Sequence, residues 1–228
     1  MNIAIIPARA GSKRIPKKNI KLLQGVPVIA FAIKLARETG LFSNVYVSTD
    51  SPEIAEVASS YGALVPDLRS PHLSDDYATT LSVISDFVAS HEAEIPSMQN
   101  ICCIYPVTPL LKSERIIEAY KILVSNNLDY VFSAKYHETS MLRSFQLDKS
   151  NRPEMASSLF EFTRSQDLPE LYHDAGQFYW GTKTAWKSET PIFSGNSSVT
   201  ILGKWETIDV DTLDDWSIVE GLLSLRSK

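Results

Sequence analysis

Cysteine is nearly missing from this chain of 228 residues, which holds only Cys102 and Cys103, side by side in an apolar run. Adjacent cysteines in that setting form neither a disulfide framework nor a metal knuckle; they suit a buried strand. Long apolar runs are missing too, since nothing approaches the roughly 18 to 20 residues of a membrane span. The apolar stretch from Ile3 to Pro7 is short and has its basic residues after it, the reverse of a secretory signal. The expected location is therefore the cytoplasm, with no membrane partner. Acidic side chains are absent from the first 37 positions, which carry eight of the 22 basic groups, while all 27 acidic groups lie further on. Basic charge confined to one short segment of an acidic protein suits a local anionic ligand, whereas nucleic acid needs a basic face. Disorder is excluded by a hydrophobic content of 44%, enough to bury the core of a single domain spanning 1–228.

What is present is alternation. Apolar runs rich in β-branched residues take turns with helical patterns, predicting a doubly wound α/β fold whose mostly parallel sheet is covered on both faces. Strands are predicted at Asn2 to Ile6, Val45 to Thr49, Asn100 to Tyr105, Tyr130 to Ala134, Gly176 to Tyr179 and Val199 to Leu202. Helices are predicted at Val28 to Thr39 before Gly40, from the cap Ser51 to about Tyr61, and at about Thr79 to His91. Two more run from the cap Ser113 to Asn126 and from Thr212 to Leu225, the latter with Asp214 and Asp215 in its first turn. Residues 66 to 76 read as a polar loop. Residues 136 to 171 break the rhythm and read as an inserted arm. Its exposed apolar residues suit contact with a second subunit, and a lid or an irregular loop accounts for the same composition.

The first chemical constellation follows the first strand: Ile6-Pro7-Ala8-Arg9-Ala10-Gly11-Ser12-Lys13-Arg14-Ile15-Pro16-Lys17-Lys18-Asn19. In open α/β sheets ligands bind at the carboxyl ends of strands, so a phosphate is expected here. Gly11 lets backbone come close, and Arg9, Lys13 and Lys18 supply charge-assisted donors. The loop is neither Gly-x-Gly-x-x-Gly nor a Walker A sequence. The second constellation is Ile208-Asp209-Val210-Asp211, before the last helix. Alternation in an extended segment puts both carboxylates on one face, where they can flank a hard cation; a helix cap with a solvated neighbour is the other reading. A polyphosphate loop in the same chain favours the cation, because triphosphates bring magnesium.

These motifs, with Val47-Ser48-Thr49-Asp50, resemble the acylneuraminate cytidylyltransferase family, the CMP-sugar synthetases, over essentially the whole chain. Cys103-Ile104-Tyr105-Pro106 and Tyr172-His173-Asp174-Ala175-Gly176-Gln177-Phe178-Tyr179-Trp180 are similar to its pseudaminic acid branch. Sialate members usually carry Gln-Pro-Thr-Ser-Pro where this chain has Tyr105-Pro106-Val107-Thr108-Pro109, and Asn-Gly-Ala in place of Ala175-Gly176-Gln177.

The resemblance implies a nucleotide-diphospho-sugar transferase-like fold that makes a CMP-sugar for glycan biosynthesis from CTP and an acidic nine-carbon sugar. It implies that Ala8, Arg9, Gly11, Ser12, Lys13, Lys18 and Asn19 grip the phosphates, that Arg69 reads the cytosine edge, and that Thr80 lies near the nucleoside. Tyr105, Arg164, Gln166, His173, Gln177 and Tyr179 fall where the sugar is held. Asp209 and Asp211 match magnesium ligands, and Arg9, Lys18 and Asp211 carry catalysis. Residues 136 to 171 correspond to the arm that joins a homodimer. His173 could act on the sugar or pair structurally with Asp174, and Asp50 could orient the nucleotide pocket or start the next helix. Pseudaminate is the expected sugar, with N-acetylneuraminate, legionaminate and related acids as alternatives. A catalytically idle nucleotide-binding homologue would be expected to lose Lys18 or the aspartate pair, and this chain keeps all three.

Overall fold

The computed structural model describes residues 1–138 and 140–226. Strand β1 (Asn2–Pro7) alternates its side chains between two layers of core: Ile3 and Ile5 pack on one face, Ala4 and Ile6 on the other. Such two-sided burial explains its continuous apolar run. A hairpin follows, with β2 (Leu22–Leu23) and β3 (Val26–Pro27) joined by Gln24 and Gly25, whose φ of 50° and 79° make the left-handed turn that antiparallel strands favour. The composition of this stretch hid the hairpin.

Helix α1 (Val28–Glu38) leads to β4 (Asn44–Ser48), α2 (Pro52–Ser60), α3 (Thr80–Ser90) and β5 (Asn100–Ile104). Then come α4 (Ser113–Ser125), β6 (Tyr130–Tyr136), the small hairpin β7 (Phe145–Leu147) and β8 (Pro153–Met155), β9 (Tyr172–Thr182), α5 (Lys183–Lys187), β10 (Ser197–Leu202) and α6 (Leu213–Arg226). Ser51 caps α2 through its side-chain oxygen, as expected, and Thr79, read only as the approximate start of a helix, caps α3 in the same way. Ser113 does not cap α4: it is the first helical residue, and Lys112 precedes it without a side-chain cap.

The central sheet has six strands in the order β10-β6-β9-β5-β1-β4. The pairs β1–β4, β1–β5 and β6–β10 are parallel, whereas β9 runs antiparallel between β5 and β6. On one face α1, α2 and α4 contribute Ile29, Ile33, Ile54, Ala58, Ile116 and Leu123; on the other, α3 and α5 contribute Ile84, Phe87, Ala185 and Trp186. The doubly wound expectation holds. Cys102 and Cys103 lie in opposite layers, both free, and burial raises both thiol pKa values. A third apolar cluster (Ile15, Leu23, Val28, Leu110, Val210, Trp216, Val219) ties the basic loop and the first hairpin to α6. It fastens the two ends of the chain together beside the carboxyl end of β1.

The two strands that flank the arm run beyond their predicted extents. Strand β9 starts at Tyr172 rather than Gly176, and β6 continues to Tyr136, so the arm's flanks are paired strands, with Tyr136 opposite Tyr172. Between Phe132 and Ala134 of β6 the register jumps from Tyr179 to Asp174 of β9. The extra residues form a bulge, made possible by Gly176 at φ 58° and held by Ser133 Oγ, which accepts from the backbone N–H groups of Gln177 and Phe178 at 3.1 and 3.2 Å. Among the described residues no helix is long and apolar enough to cross a membrane.

Candidate active site

The basic loop leaves β1 at Pro7 and is pinned by its own backbone. The Ala8 N–H donates to Ser48 O at 2.9 Å, the Ala10 N–H to Asp50 Oδ1 at 2.8 Å, and Asn19 Nδ2 to Arg9 O at 2.8 Å. Asp50 thus orients the loop, and Ser51 starts the following helix. A Cβ on Gly11 would meet nothing within 4 Å, so packing within the chain does not require glycine there.

Around this loop the charges are interleaved. Arg9 Nη1 donates to Asp75 O at 2.6 Å and pairs with Asp76 at 2.9 Å, and Lys13 pairs with the same Asp76. The Lys13 hydrogen bond, followed by that of Arg9, holds the Asp76 pKa below its ordinary value. Arg14 pairs with Asp211, and Lys18 Nζ donates to Val210 O at 2.6 Å while lying 3.7 Å from Asp211. These cations, with Pro7, Gly11, Ser12, Asn19, Asp76, Tyr105, Pro106 and Asp211, line a cavity of about 470 Å³.

Two cavities flank it. One, lined by Arg69, Leu73, Ala78, Thr80, Val83 and Tyr105, lies under the segment before α3. Its Arg69 is held by a backbone bond to Thr49 O at 2.8 Å and an Nε bond to Ser74 Oγ at 3.2 Å; burial lowers its pKa, and Asp50 acts in the opposite direction. The other, of about 500 Å³, is lined by Tyr105, Lys135, His173, Asp174, Ala175, Gly176, Tyr179, Thr207, Ile208 and Asp209. Thr207, which also lines it, is only 3% exposed, and its buried Oγ1 has no hydrogen-bond partner among the described residues. His173 packs against His137, the rings tilted by 39° with centroids 4.3 Å apart; desolvation, His137 and Lys135 together lower its pKa, and Asp174 acts against them. Tyr105 lines every one of these cavities, which makes them one cleft.

Asp209 and Asp211 meet where the cationic and third cavities adjoin. They lie on an irregular segment, not a strand, before the cap of α6, where Thr212 and Asp215 exchange hydrogen bonds. Desolvation first, then the Asp211 carboxylate, raises the Asp209 pKa against the pull of Lys18 and Arg14. Two mutually repelling carboxylates fit a divalent ion. No group of three or more His, Cys, Asp or Glu that could hold a metal ion is found among the described residues, and one or two carboxylates are the usual protein share of a magnesium site.

Most residues expected at the site are brought together: Ala8 adjoins the loop's anchor, Arg9, Gly11, Ser12, Lys13, Lys18 and Asn19 surround the cationic cavity, and Arg69, Thr80, Tyr105, His173, Tyr179, Asp209 and Asp211 line the cleft. Gln177 is 4% exposed and turns its amide back onto Ala175 O and Gly176 O, meeting the cleft beside Lys18 and Asp209. Arg164 and Gln166 do not join them. Arg164 pairs with Asp167 in an exposed turn of the arm at 2.6 Å, and neither residue lines the cleft. Sequence reasoning missed Arg14, Asp76, Lys135 and Thr207, and reached Asp174 only as part of the Tyr172 to Tyr179 segment that the resemblance places at the sugar. Arg14 and Asp174 sat inside motifs already singled out, whereas Lys135 reaches the cleft only through the pairing of β6 with β9.

The chain matches the cytidylyltransferase family model over residues 3–211. It is 40% identical over 214 residues to a pseudaminic acid cytidylyltransferase of Campylobacter jejuni, covering 94% of this chain and 92% of that one. An N-acylneuraminate cytidylyltransferase of Streptococcus agalactiae is 34% identical over 224 residues, 97% of this chain and 53% of that protein. Among solved structures, CMP:2-keto-3-deoxy-manno-octonic acid synthetase complexed with CTP superimposes with a TM-score of 0.74 at 14% identity over 99% of each chain. A 4-diphosphocytidyl-2C-methyl-D-erythritol synthase from Anaerococcus prevotii does so with 0.65 at 14% identity over 98% of each. At such identities these two likenesses concern the fold alone.

Proposed function

This chain belongs to the cytidylyltransferase family, and from that membership we propose that it condenses CTP with pseudaminic acid to give CMP-pseudaminic acid and pyrophosphate. The observation that carries the reading is the junction of two unlike cavities at Tyr105 and the aspartate pair, one lined by Arg9, Lys13, Arg14 and Lys18, the other by Lys135, His173 and Thr207. The first suits a triphosphate. The second offers Lys135 to a sugar carboxylate.

In the reaction an anomeric oxygen forms a bond to the α-phosphorus as the bond to pyrophosphate breaks. Such a transfer asks the protein mainly for alignment and charge neutralisation. Lys18, fixed by Val210 O, and Arg9, fixed by Asp75 O, hold their charges in place before the reaction, so little reorganisation remains for the transition state. Asp209 and Asp211 would hold magnesium, which when bound offsets the charge of the triphosphate. Arg69 and Thr80 receive the nucleoside end, away from the reacting phosphorus.

We assign the work to a homodimer in the cytoplasm. Exposed Phe145, Leu147, Leu159 and Phe162 on the arm support the dimer, and the two free cysteines accord with a reducing compartment. Pyrophosphate release from CTP, with pseudaminate, N-acetylneuraminate and legionaminate offered in turn, tests the activity. Pseudaminate should give the highest kcat/KM. A higher value for another acid overturns the substrate, and no release with any acid overturns the synthetase reading.

A further inference from the structure

Between β10 and α6 the chain follows an irregular path along the cleft, residues 203–212, and long cationic side chains from other elements hold it at intervals. Arg226 of α6 donates to Trp205 O at 2.7 Å, Lys135 of β6 to Thr207 O at 3.5 Å, and Lys18 of the basic loop to Val210 O at 2.6 Å. Each of these bonds ends on a backbone carbonyl. The anchor between the first two is of another kind, because Glu206 turns its own side chain inward. It is 8% exposed, and Arg115 of α4 donates through Nε to both carboxylate oxygens, at 3.2 and 3.0 Å, with Nη2 2.9 Å from Oε2. The Gly203 N–H donates to the same Oε2 at 2.6 Å, and the Glu206 N–H donates to Gly203 O at 3.0 Å, which closes a turn around the carboxylate.

The base of this clamp is rigid. Ile116, next to Arg115, is fully buried, and its carbonyl accepts from Trp180 Nε1 of β9 at 3.0 Å. Burial works against the Glu206 charge, but the hydrogen bonds from Arg115 and Gly203 prevail and lower its pKa, so the clamp is ionic at neutral pH. Desolvation offsets much of the attraction in a buried ion pair, which makes it a poor source of stability; what a well-bonded pair can secure is a single geometry. The geometry at stake is that of the sugar cavity. Thr207 follows Glu206 directly and lines that cavity with Asp209, and the Thr207 carbonyl receives Lys135, the cation assigned to the sugar carboxylate. Glu206 and Arg115 themselves line none of the three cavities of the cleft.

We propose that Glu206 is a positioning residue that, clamped by Arg115, fixes the Thr207 carbonyl and through it the Lys135 ammonium that receives the acidic sugar. The inference rests on the reading of the cleft as a CTP and sugar site, and extends it to a residue outside the cavities. The phosphate half is spared, because Lys18 and Arg14 pin Val210 and Asp211 independently of the clamp.

The test compares wild type, Glu206→Gln, Lys135→Met and the double variant, first by titration with CTP in the absence of sugar, then by pyrophosphate release and by thermal melting. Glu206→Gln leaves Arg115 paired with Glu118 at 3.0 Å, so no buried charge is left alone. It should raise the KM for the sugar about threefold to tenfold, the scale of one misplaced charge-assisted contact, with kcat and CTP affinity within about twofold of wild type. In the Lys135→Met background it should add nothing, because the cation it positions is gone. Should Glu206→Gln not fold, Arg115→Lys keeps the charge, loses the forked contact and should raise the same KM by a smaller factor. A lower melting temperature with an unchanged sugar KM makes Glu206 a structural residue and overturns the proposal. A full effect in the Lys135→Met background overturns it too, as does an equal loss of CTP affinity. A wild-type protein that binds CTP but releases no pyrophosphate with any acid overturns the synthetase reading and this inference with it, whereas turnover by wild type with no change of sugar KM in Glu206→Gln overturns the inference alone.

Discussion

The two halves of the cleft are built by opposite means. The phosphate half is a single loop, residues 8–19, whose cations are near neighbours in the chain and are held by short bonds to Asp75, Asp76, Val210 and Asp211. The sugar half has no such loop. Lys135 comes from β6, His173, Asp174 and Tyr179 from β9, and Thr207 from the segment before α6, so its geometry depends on strand pairing and on one bulge. A phosphate can be met by any cluster of donors and cations of the right sign, which a local sequence supplies. A sugar with a defined arrangement of hydroxyls requires groups at fixed positions around it, which rigid neighbouring strands supply.

The sharpest way to break this contrast is at the point where the halves touch. Asp211→Ala removes one of the two carboxylates and the partner of Arg14 and Lys18, so magnesium-dependent pyrophosphate release should fall by about 10² to 10³. The variant should keep the wild-type far-ultraviolet circular dichroism. Unaltered release would remove the pair from the mechanism. A smaller and more selective effect is expected from a pair of variants. Lys135→Met should raise the KM for the sugar about tenfold with the KM for CTP little changed, whereas Arg69→Ala should do the reverse, each losing one charge-assisted contact. If both variants shift both constants equally, the halves are not separate binding units.

The smallest effect should lie outside the cleft. Glu92, which receives Lys183 and Lys187 of α5 at 2.7 and 2.5 Å, has a pKa lowered from 4.5 to about 2, chiefly by the Lys183 hydrogen bond. A carboxylate depressed on folding contributes stability above its unfolded pKa near 4.5 and loses it as pH falls through about 2. Glu92→Gln should therefore melt slightly below wild type at pH 7, and the gap should close as pH falls toward about 2. Because the pair is exposed, the gap should also shrink in high salt. Its kcat/KM should match wild type. A change in kcat/KM would mean that the cleft responds to the packing of α3 against α5, and would blur the separation between site and scaffold.

How far each half could be read from the residues follows the same division. The basic loop and Asp209-Val210-Asp211 were legible because their chemistry is carried by residues a few positions apart. Asp50 was half legible: its place after a strand marked it, but only the hydrogen bond to the Ala10 N–H separates loop support from helix capping. Asp76 shows no pattern of its own, and its importance comes from Arg9 and Lys13, which fold back onto it from more than 60 positions away. Arg164 and Gln166 show the converse. The family resemblance placed them at the sugar, yet in this chain they belong to an exposed turn in which Arg164 pairs locally with Asp167.

What the sequence by itself determined is the layered α/β architecture, the place of the anion loop at the end of the first strand, and the carboxylate pair near the other end of the chain. These depend on local periodicity, on turn residues and on neighbours along the backbone. Only the tertiary structure decided that β9 runs antiparallel between two parallel blocks, that it bulges at Gly176, and that Lys135, Asp174 and Thr207 face a common space. A residue added to a strand reverses which face every later side chain takes, and no composition or spacing in one segment records the register it adopts against another.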